Sequence, residues 1–171
     1  MSKPRHPEER SDEGPLDAGE KWAKPSSPAQ RDPSASPQDD RDELTAYTLS
    51  HSDPGFLHQH VVDAFGAQEA KAGDKPIRLA FALIGLFLHL ERGFNGREVQ
   101  RVHKMLGDRT HSWPAFPLPE HRGATTAADV LAEPPGDARD RAIEAWCRSV
   151  WAAFEVSKPE VEALLRLHGV V

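Results

Sequence analysis

Hydrophobic positions along this chain follow the spacing of α-helices, and no stretch alternates as a half-buried β-strand does. The clearest pattern lies in residues 137–156. With successive residues placed 100° apart, its apolar side chains share one arc of about 140°, which predicts an amphipathic helix packed against a core. The arc contains Ile143, Trp146, Cys147, Val150, Trp151 and Phe154.

A second stretch, Ile77 to Leu90, is apolar nearly all round, as expected of a helix that its neighbours bury. One stripe of this helix is small or polar instead, and small residues leave space for a close neighbour or for a ligand. We therefore predict a central helix with one polar stripe. The stripe consists of Arg78, Ala82, Gly85 and His89.

Start and stop signals divide the rest of the chain into further helices. Asp53 before Pro54 predicts a helix that begins there and runs to about Lys71. A short helix is also expected over residues 42–50. Together these patterns predict an all-α, compact bundle of about five or six helices. Three pairs have capping-box spacing, namely Asn95 with Glu98, Thr126 with Asp129 and Ser157 with Glu160.

Residues 108–124 interrupt the helical pattern. They contain Trp113 and three prolines, a composition that favours an extended, aromatic-rich loop. The segment is long for a compact domain, and long loops often have a function. Trp113 is therefore either an anchor of the loop or a ring that contacts a ligand.

The N-terminal part of the chain has a different composition. Residues 1–43 contain seven of the 15 prolines, 11 acidic and 7 basic residues, and almost no aliphatic side chains. Such a segment buries too little apolar surface to offset its ordering entropy. We expect a disordered, acidic, proline-rich tail over residues 1–41 and a helical domain over residues 42–171.

Several classes of protein are disfavoured by composition. No apolar run approaches the roughly 20 residues that cross a bilayer, so we expect no membrane anchor. No secretory signal follows Met1, and the single cysteine, Cys147, fits a reducing compartment, so a cytoplasmic location is expected. Net acidity and the lack of a recognition motif argue against nucleic acid as a partner, although Arg97, Arg101 and Lys104 form a basic strip. A homo-oligomer remains compatible with the sequence.

Four stretches carry a resemblance to a known family. From Tyr47 to Phe154 the chain resembles a bacterial family of uncharacterised small helical proteins, a domain of unknown function. The resemblance implies a tyrosine where this chain has Phe65, and it implies no activity. The stretches are HQHVVDAFGAQ (residues 58–68), FALIGLFLHLERGFNGREVQRVH (81–103), WPAFPLPEHRGATTAADVL (113–131) and PPGDARDRAIEAWCRSVWAAF (134–154).

Eight of the nine histidines lie after the tail, so a metal site has to be considered. His58 and His60 are two residues apart and would point to different sides of a helix, so only one of them can serve a given ion. His60 is favoured because Asp63, one turn on, can orient its ring. A divalent metal would then be held by His60, His89 and His103, with ligands from separate helices as in some helical-bundle metalloenzymes.

Two functions therefore stay open, and the sequence does not decide whether the protein is an enzyme. The first is non-catalytic binding of a partner or a small ligand. The second is a metal-dependent reaction that uses the dispersed histidines. The same polar groups are also compatible with a buried network that only fixes helix packing. The residues expected to bind a ligand are His60, Asp63, Gln68, Arg78, His89 and Trp113.

Overall fold

The structure is a computed structural model, and it describes residues 32, 34–51 and 53–171. The described residues form seven α-helices, one 3-10 turn at Glu155–Ser157 and no strand, which confirms the all-α prediction. The predicted tail falls mostly on residues outside the described part. The helices are α1 (Pro37–Leu49), α2 (His58–Gln68), α3 (Pro76–Arg92), α4 (Gly96–Arg109), α5 (Ala127–Ala132), α6 (Asp137–Ala153) and α7 (Lys158–Leu167).

Helix α3 is the centre of the bundle and packs against α2, α4, α6 and α7. Leu83, Ile84 and Leu88 are fully buried, as the continuous apolar pattern predicts. Gly93 ends the helix with a φ of 71°, a left-handed conformation that glycine adopts without strain.

Helices α2 and α3 run antiparallel, because the residues that meet rise along one helix as they fall along the other. His60 faces His89, Asp63 faces Gly85, and Gly66 faces Ala82. Because the stripe on α3 has small residues at these positions, α2 packs closely against α3. The sequence left two roles for the stripe, to receive a close neighbour or to leave space for a ligand. Ala82 and Gly85 have the first role, because both are buried against α2.

Two capping boxes were predicted correctly, at Asn95 and at Thr126. The one predicted at Ser157 is wrong. Its side chain makes no capping hydrogen bond, because a 3-10 turn leads into α7 and leaves Ser157 in helical conformation with its hydroxyl buried.

The ends of other helices also differ from prediction. Helix α1 begins at Pro37 rather than residue 42, because Ser36 and Asp39 form a capping box. Helix α2 begins at His58 rather than Pro54, because Phe56 has a φ of 58°. That left-handed conformation cannot belong to an α-helix.

Candidate functional site

Two histidines from different helices meet at one end of the α2–α3 pair. The rings of His60 and His89 are stacked, with centroids 3.6 Å apart and planes 20° from parallel. His60 is only 4% exposed. Because α2 and α3 are antiparallel, a histidine early in one helix and one late in the other come to the same level.

Both nitrogens of His89 have partners. Nε2 lies 2.6 Å from a carboxylate oxygen of Glu144 on α6, and Nδ1 lies 3.2 Å from the carbonyl oxygen of Phe94. Both partners accept hydrogen bonds, so the two bonds form together only when both ring nitrogens carry a proton. The geometry of His89 therefore suits an imidazolium that pairs with Glu144.

Glu144 is held as a carboxylate in spite of partial burial. Burial raises the pKa of Glu144, but hydrogen bonds and charges from His89 and Arg148 together lower it below the ordinary value. Arg148 lies one helical turn further along α6 and donates to the second carboxylate oxygen at 2.6 Å. Glu144 therefore pairs with two residues at once, His89 on its buried side and Arg148 at the surface.

His60 has the opposite character from its neighbour. Burial, followed by the charge of His89, lowers the pKa of His60 to about 4, so its ring is neutral at neutral pH. Its Nδ1 atom is buried without a hydrogen-bond partner among the described residues. A buried polar atom without a partner destabilises a fold by roughly 1–3 kcal/mol.

Asp63 is a buried acid on the same helix. Its Oδ1 atom accepts a hydrogen bond of 2.9 Å from the side chain of Gln59, rather than meeting His60 as the sequence suggested. Its Oδ2 atom has no partner among the described residues. Burial raises the pKa of Asp63 well above the usual range, because the enclosed site disfavours the charged carboxylate.

A groove opens over the stacked rings. We call it the histidine groove; it has a volume of about 400 Å³. Two turns build its walls, one before α2 and one between α3 and α4. Its lining includes Asp53, Leu57, His60, His89, Phe94 and Asp140.

The turn before α2 is fixed by Asp53 and by a close approach to α4. The Asp53 carboxylate accepts hydrogen bonds from the backbone N–H groups of Gly55 and Leu57. The N–H of Gly96 donates to the Gly55 carbonyl at 2.7 Å, and a Cβ on Gly96 would lie 2.0 Å from the carbonyl oxygen of Phe56. Only glycine at position 96 permits this contact.

Gln68 lies at the far end of α2, eight residues and thus about 12 Å from His60 along the helix axis. Its side chain accepts from the indole N–H of Trp146 at 2.9 Å and donates to the carbonyls of Arg122 and Thr125. These bonds give the amide of Gln68 its partners and tie the loop to the core.

Two other predicted ligand residues also lie away from the histidine groove. Arg78 is exposed and pairs with Asp74 one turn before it. Trp113 packs edge-on against Phe81, with ring centroids 5.0 Å apart, and so anchors the loop. The structure therefore brings together His60 and His89, with Asp63 close by, and does not bring Arg78 or Trp113 to them.

His103 is also separate from the stacked pair. It is 9% exposed and stacks on Phe81, with centroids 4.6 Å apart. Burial lowers the pKa of His103 to about 4. Phe81 and His89 are eight residues apart on α3, about 12 Å along the axis. The described residues contain no group of three or more histidine, cysteine, aspartate or glutamate side chains placed to hold a metal ion.

Glu144, Phe94 and Asp53 belong to the site but were not predicted as site residues. Glu144 occupies the polar face of α6, where the sequence indicates only solvent. Its spacing from Arg148 suggests an ion pair, but nothing in the sequence connects it to His89. Asp53 resembles a helix cap and Phe94 a loop residue.

Cys147 lies in the core beside Trp146, as predicted. It is fully buried, burial raises the pKa of its thiol, and its sulfur contacts the backbone carbonyl of His60 at 3.7 Å. These surroundings are unsuited to a nucleophile. None of the described helices combines the length and the apolar character that crossing a bilayer requires.

The fold and the groove define a class: a small all-α protein with a pair of stacked histidines at one end of its central helix pair. A model of a family of unknown function (DUF5946) matches residues 25–155, and the chain belongs to this family. This confirms the resemblance to a domain of unknown function, and the match begins earlier than Tyr47. No curated protein and no solved structure matches the chain.

Proposed function

We propose that this protein binds a small organic ligand, without catalysis, in the histidine groove. The observation that carries the proposal is His60, which lines the groove, is 4% exposed and has an unpartnered ring nitrogen. Asp63 on the same helix adds a second unpartnered atom. A costly polar atom of this kind, in a ring that lines a groove, is typical of a site kept for function rather than for packing.

The size and the walls of the groove also support a small ligand. Its volume of about 400 Å³ lies within the usual range for pockets that hold small molecules, roughly 300–1,000 Å³. Leu57 and Phe94 supply apolar surface, while the histidines and two carboxylates supply directed polar contacts. Such a mixture gives both affinity and orientation.

The chemistry of the groove favours binding over catalysis. A general base needs a free nitrogen near the substrate, but both nitrogens of His89 are held by Glu144 and Phe94. His60 is a weak base because burial lowers its pKa to about 4. The metal-dependent reaction stays an alternative, in which His89 would give up one of these two hydrogen bonds to ligate an ion beside His60.

The test is a screen of small organic compounds against the ¹⁵N-labelled protein by NMR. Binding in the groove should shift the backbone signals of Gly55, Gly93 and Asn95. His60→Gln should weaken the binding of every confirmed compound by about tenfold, a loss of roughly 1.4 kcal/mol. His58→Gln is the matched control, because His58 lies on the same helix but contacts Thr48 instead of the groove.

Two results would overturn the proposal. One is a set of compounds that shift only signals elsewhere, such as those of residues 113–126, or that bind His60→Gln as well as the wild type. The other is stoichiometric zinc, manganese, nickel or iron in protein purified without a polyhistidine tag, lost in His60→Gln and kept in His58→Gln. That second result would favour the metal-dependent alternative.

A further inference from the structure

The charges around the histidine groove are unevenly distributed. Its lining includes the carboxylates of Asp53 and Asp140, and no lysine or arginine is among the described residues that line it. Both carboxylates already accept hydrogen bonds, Asp53 from its own turn and Asp140 from the hydroxyl of Tyr47 at 2.6 Å. Each still has lone pairs for a further donor.

The floor of the groove adds no net positive charge. His60 is neutral at neutral pH. The charge that the geometry gives His89 is balanced by Glu144 at 2.6 Å. The two rim carboxylates therefore leave the groove with a negative potential.

Three arginines, Arg97, Arg139 and Arg148, make contacts with other groups. Arg97 lies over the ring of Phe56, 5.0 Å from its centroid. Arg139 is buried and donates to the backbone carbonyls of Leu131 and Glu133. Arg148 points to the surface and pairs with Glu144. None of the three lines the groove.

We infer that the ligand of the histidine groove is a small organic cation, namely a compact alkyl amine whose ammonium group lies between Asp53 and Asp140. The inference rests on the function proposed above. The alkyl part of the amine would contact Leu57 and the ring of Phe94. The face of that ring also attracts a neighbouring cation. An anion would meet two carboxylates and no basic side chain.

The test compares three probes with one carbon skeleton: 3-methylbutylamine, 3-methylbutanol and 3-methylbutanoate. They share five carbons and differ in the polar group, which is positively charged, neutral or negatively charged near neutral pH. A dissociation constant of about 1 mM, roughly 0.7 kcal/mol per non-hydrogen atom, is within the efficiency that small ligands reach. We expect the amine alone to shift the NMR signals of Gly55, Gly93 and Asn95 in a saturable way, and added salt should weaken its binding.

Asp140→Asn should weaken amine binding about three- to fivefold, the effect of losing a partly exposed ion pair. The substitution keeps an oxygen that can accept from Tyr47. Asp137→Asn is the matched control, because it removes the same charge from the same first turn of α6 at a residue that does not line the groove. Its amine affinity should equal that of the wild type.

Three results would overturn this inference. Equal binding of the alcohol, or stronger binding of the carboxylate, would show that the groove binds ligands but does not select cations, and the proposed function would survive. Equal loss in Asp137→Asn and Asp140→Asn would assign the effect to net charge. Failure of all three probes would reject the alkyl amine, while the wider compound screen with His60→Gln decides the proposed function separately.

Discussion

The carboxyl group of Asp63 lies directly against Gly85, in the place that a side chain at position 85 would occupy. A Cβ built on Gly85 would be 1.9 Å from Oδ2 of Asp63. Asp63 is only 3% exposed and its Oδ1 atom is held by Gln59, so it has little room to move away. Only a residue without a side chain at position 85 leaves room for the buried carboxyl of Asp63 and for the close packing of α2 on α3.

We expect Gly85→Ala to destabilise the protein by about 1–3 kcal/mol, because the added methyl group overpacks a filled interface. The control is Gly107→Ala, also in a helix, where the new Cβ would make an ordinary contact of 3.6 Å with Phe81. There the helix propensity of alanine should stabilise the fold by up to about 1 kcal/mol. Urea unfolding followed by tryptophan fluorescence measures both.

A second variant separates steric conflict from loss of glycine itself. Asp63→Ala makes room for the methyl group, so the double variant should be more stable than the sum of the two single changes predicts. Additive losses would contradict the contact between Asp63 and Gly85.

Asp63 also predicts a pH dependence. Its pKa is raised in the fold, so the unfolded chain loses this proton at a lower pH than the folded protein. Its contribution to stability is full in acid below about 3.8 and decreases as the pH rises toward the folded pKa. Asp63→Asn has no proton to lose and can still accept from Gln59.

The advantage of Asp63→Asn over the wild type should therefore grow with pH from acid to neutral solution. The measurement is the difference in free energy of unfolding across a pH series. A difference that is constant with pH, or that shrinks toward neutral pH, would show that Asp63 is ionised in the fold. Asp108→Asn, at an exposed position, serves as the control.

The sequence predicted the central helix, the two capping boxes and the isolation of His58 from His60, because each depends on residues within a few positions of one another. It did not predict the turn before α2. Asp53 and Pro54 resemble a helix start, but Phe56 adopts a positive φ in a turn that also receives a hydrogen bond from Gly96 on a distant part of the chain.

The stacking of His60 on His89 could not be predicted for a similar reason. It depends on the register of α2 against α3, and that register is set where Gly85 admits Asp63. The residues expected to bind a ligand do not all come together, for a geometric reason. The loop meets α2 at Gln68, and the histidines meet at the opposite end.

The buried histidines predict a loss of stability in acid. Burial lowers the pKa of both His60 and His103 to about 4 from an ordinary 6.5. As the pH falls below 6.5, the unfolded chain takes up these protons before the folded protein does, so stability decreases between about 6.5 and 4. Each of these two protons accounts for about 1.4 kcal/mol per pH unit, and the raised pKa of Asp63 acts in the opposite direction.

We expect the free energy of unfolding to fall across this window and to fall less steeply in His60→Gln. His111→Gln is the control, since His111 is exposed and should leave the slope unchanged. NMR titration of the imidazole signals gives a direct check. A His60 that titrates near 6.5 in the folded protein would contradict the burial argument.

Gln68 supplies the last prediction, because one side chain connects the core to the loop. Gln68→Met keeps the length of the side chain but removes an acceptor from the indole of Trp146 and a donor from two loop carbonyls. An unpartnered buried group costs roughly 1–3 kcal/mol, so the variant should lose at least that much stability. The emission of Trp146 should also change. Gln100→Met, at an exposed position on α4, is the control and should change neither the stability nor the emission. If Gln68→Met is equally harmless, the loop is held by the contact of Trp113 with Phe81 instead.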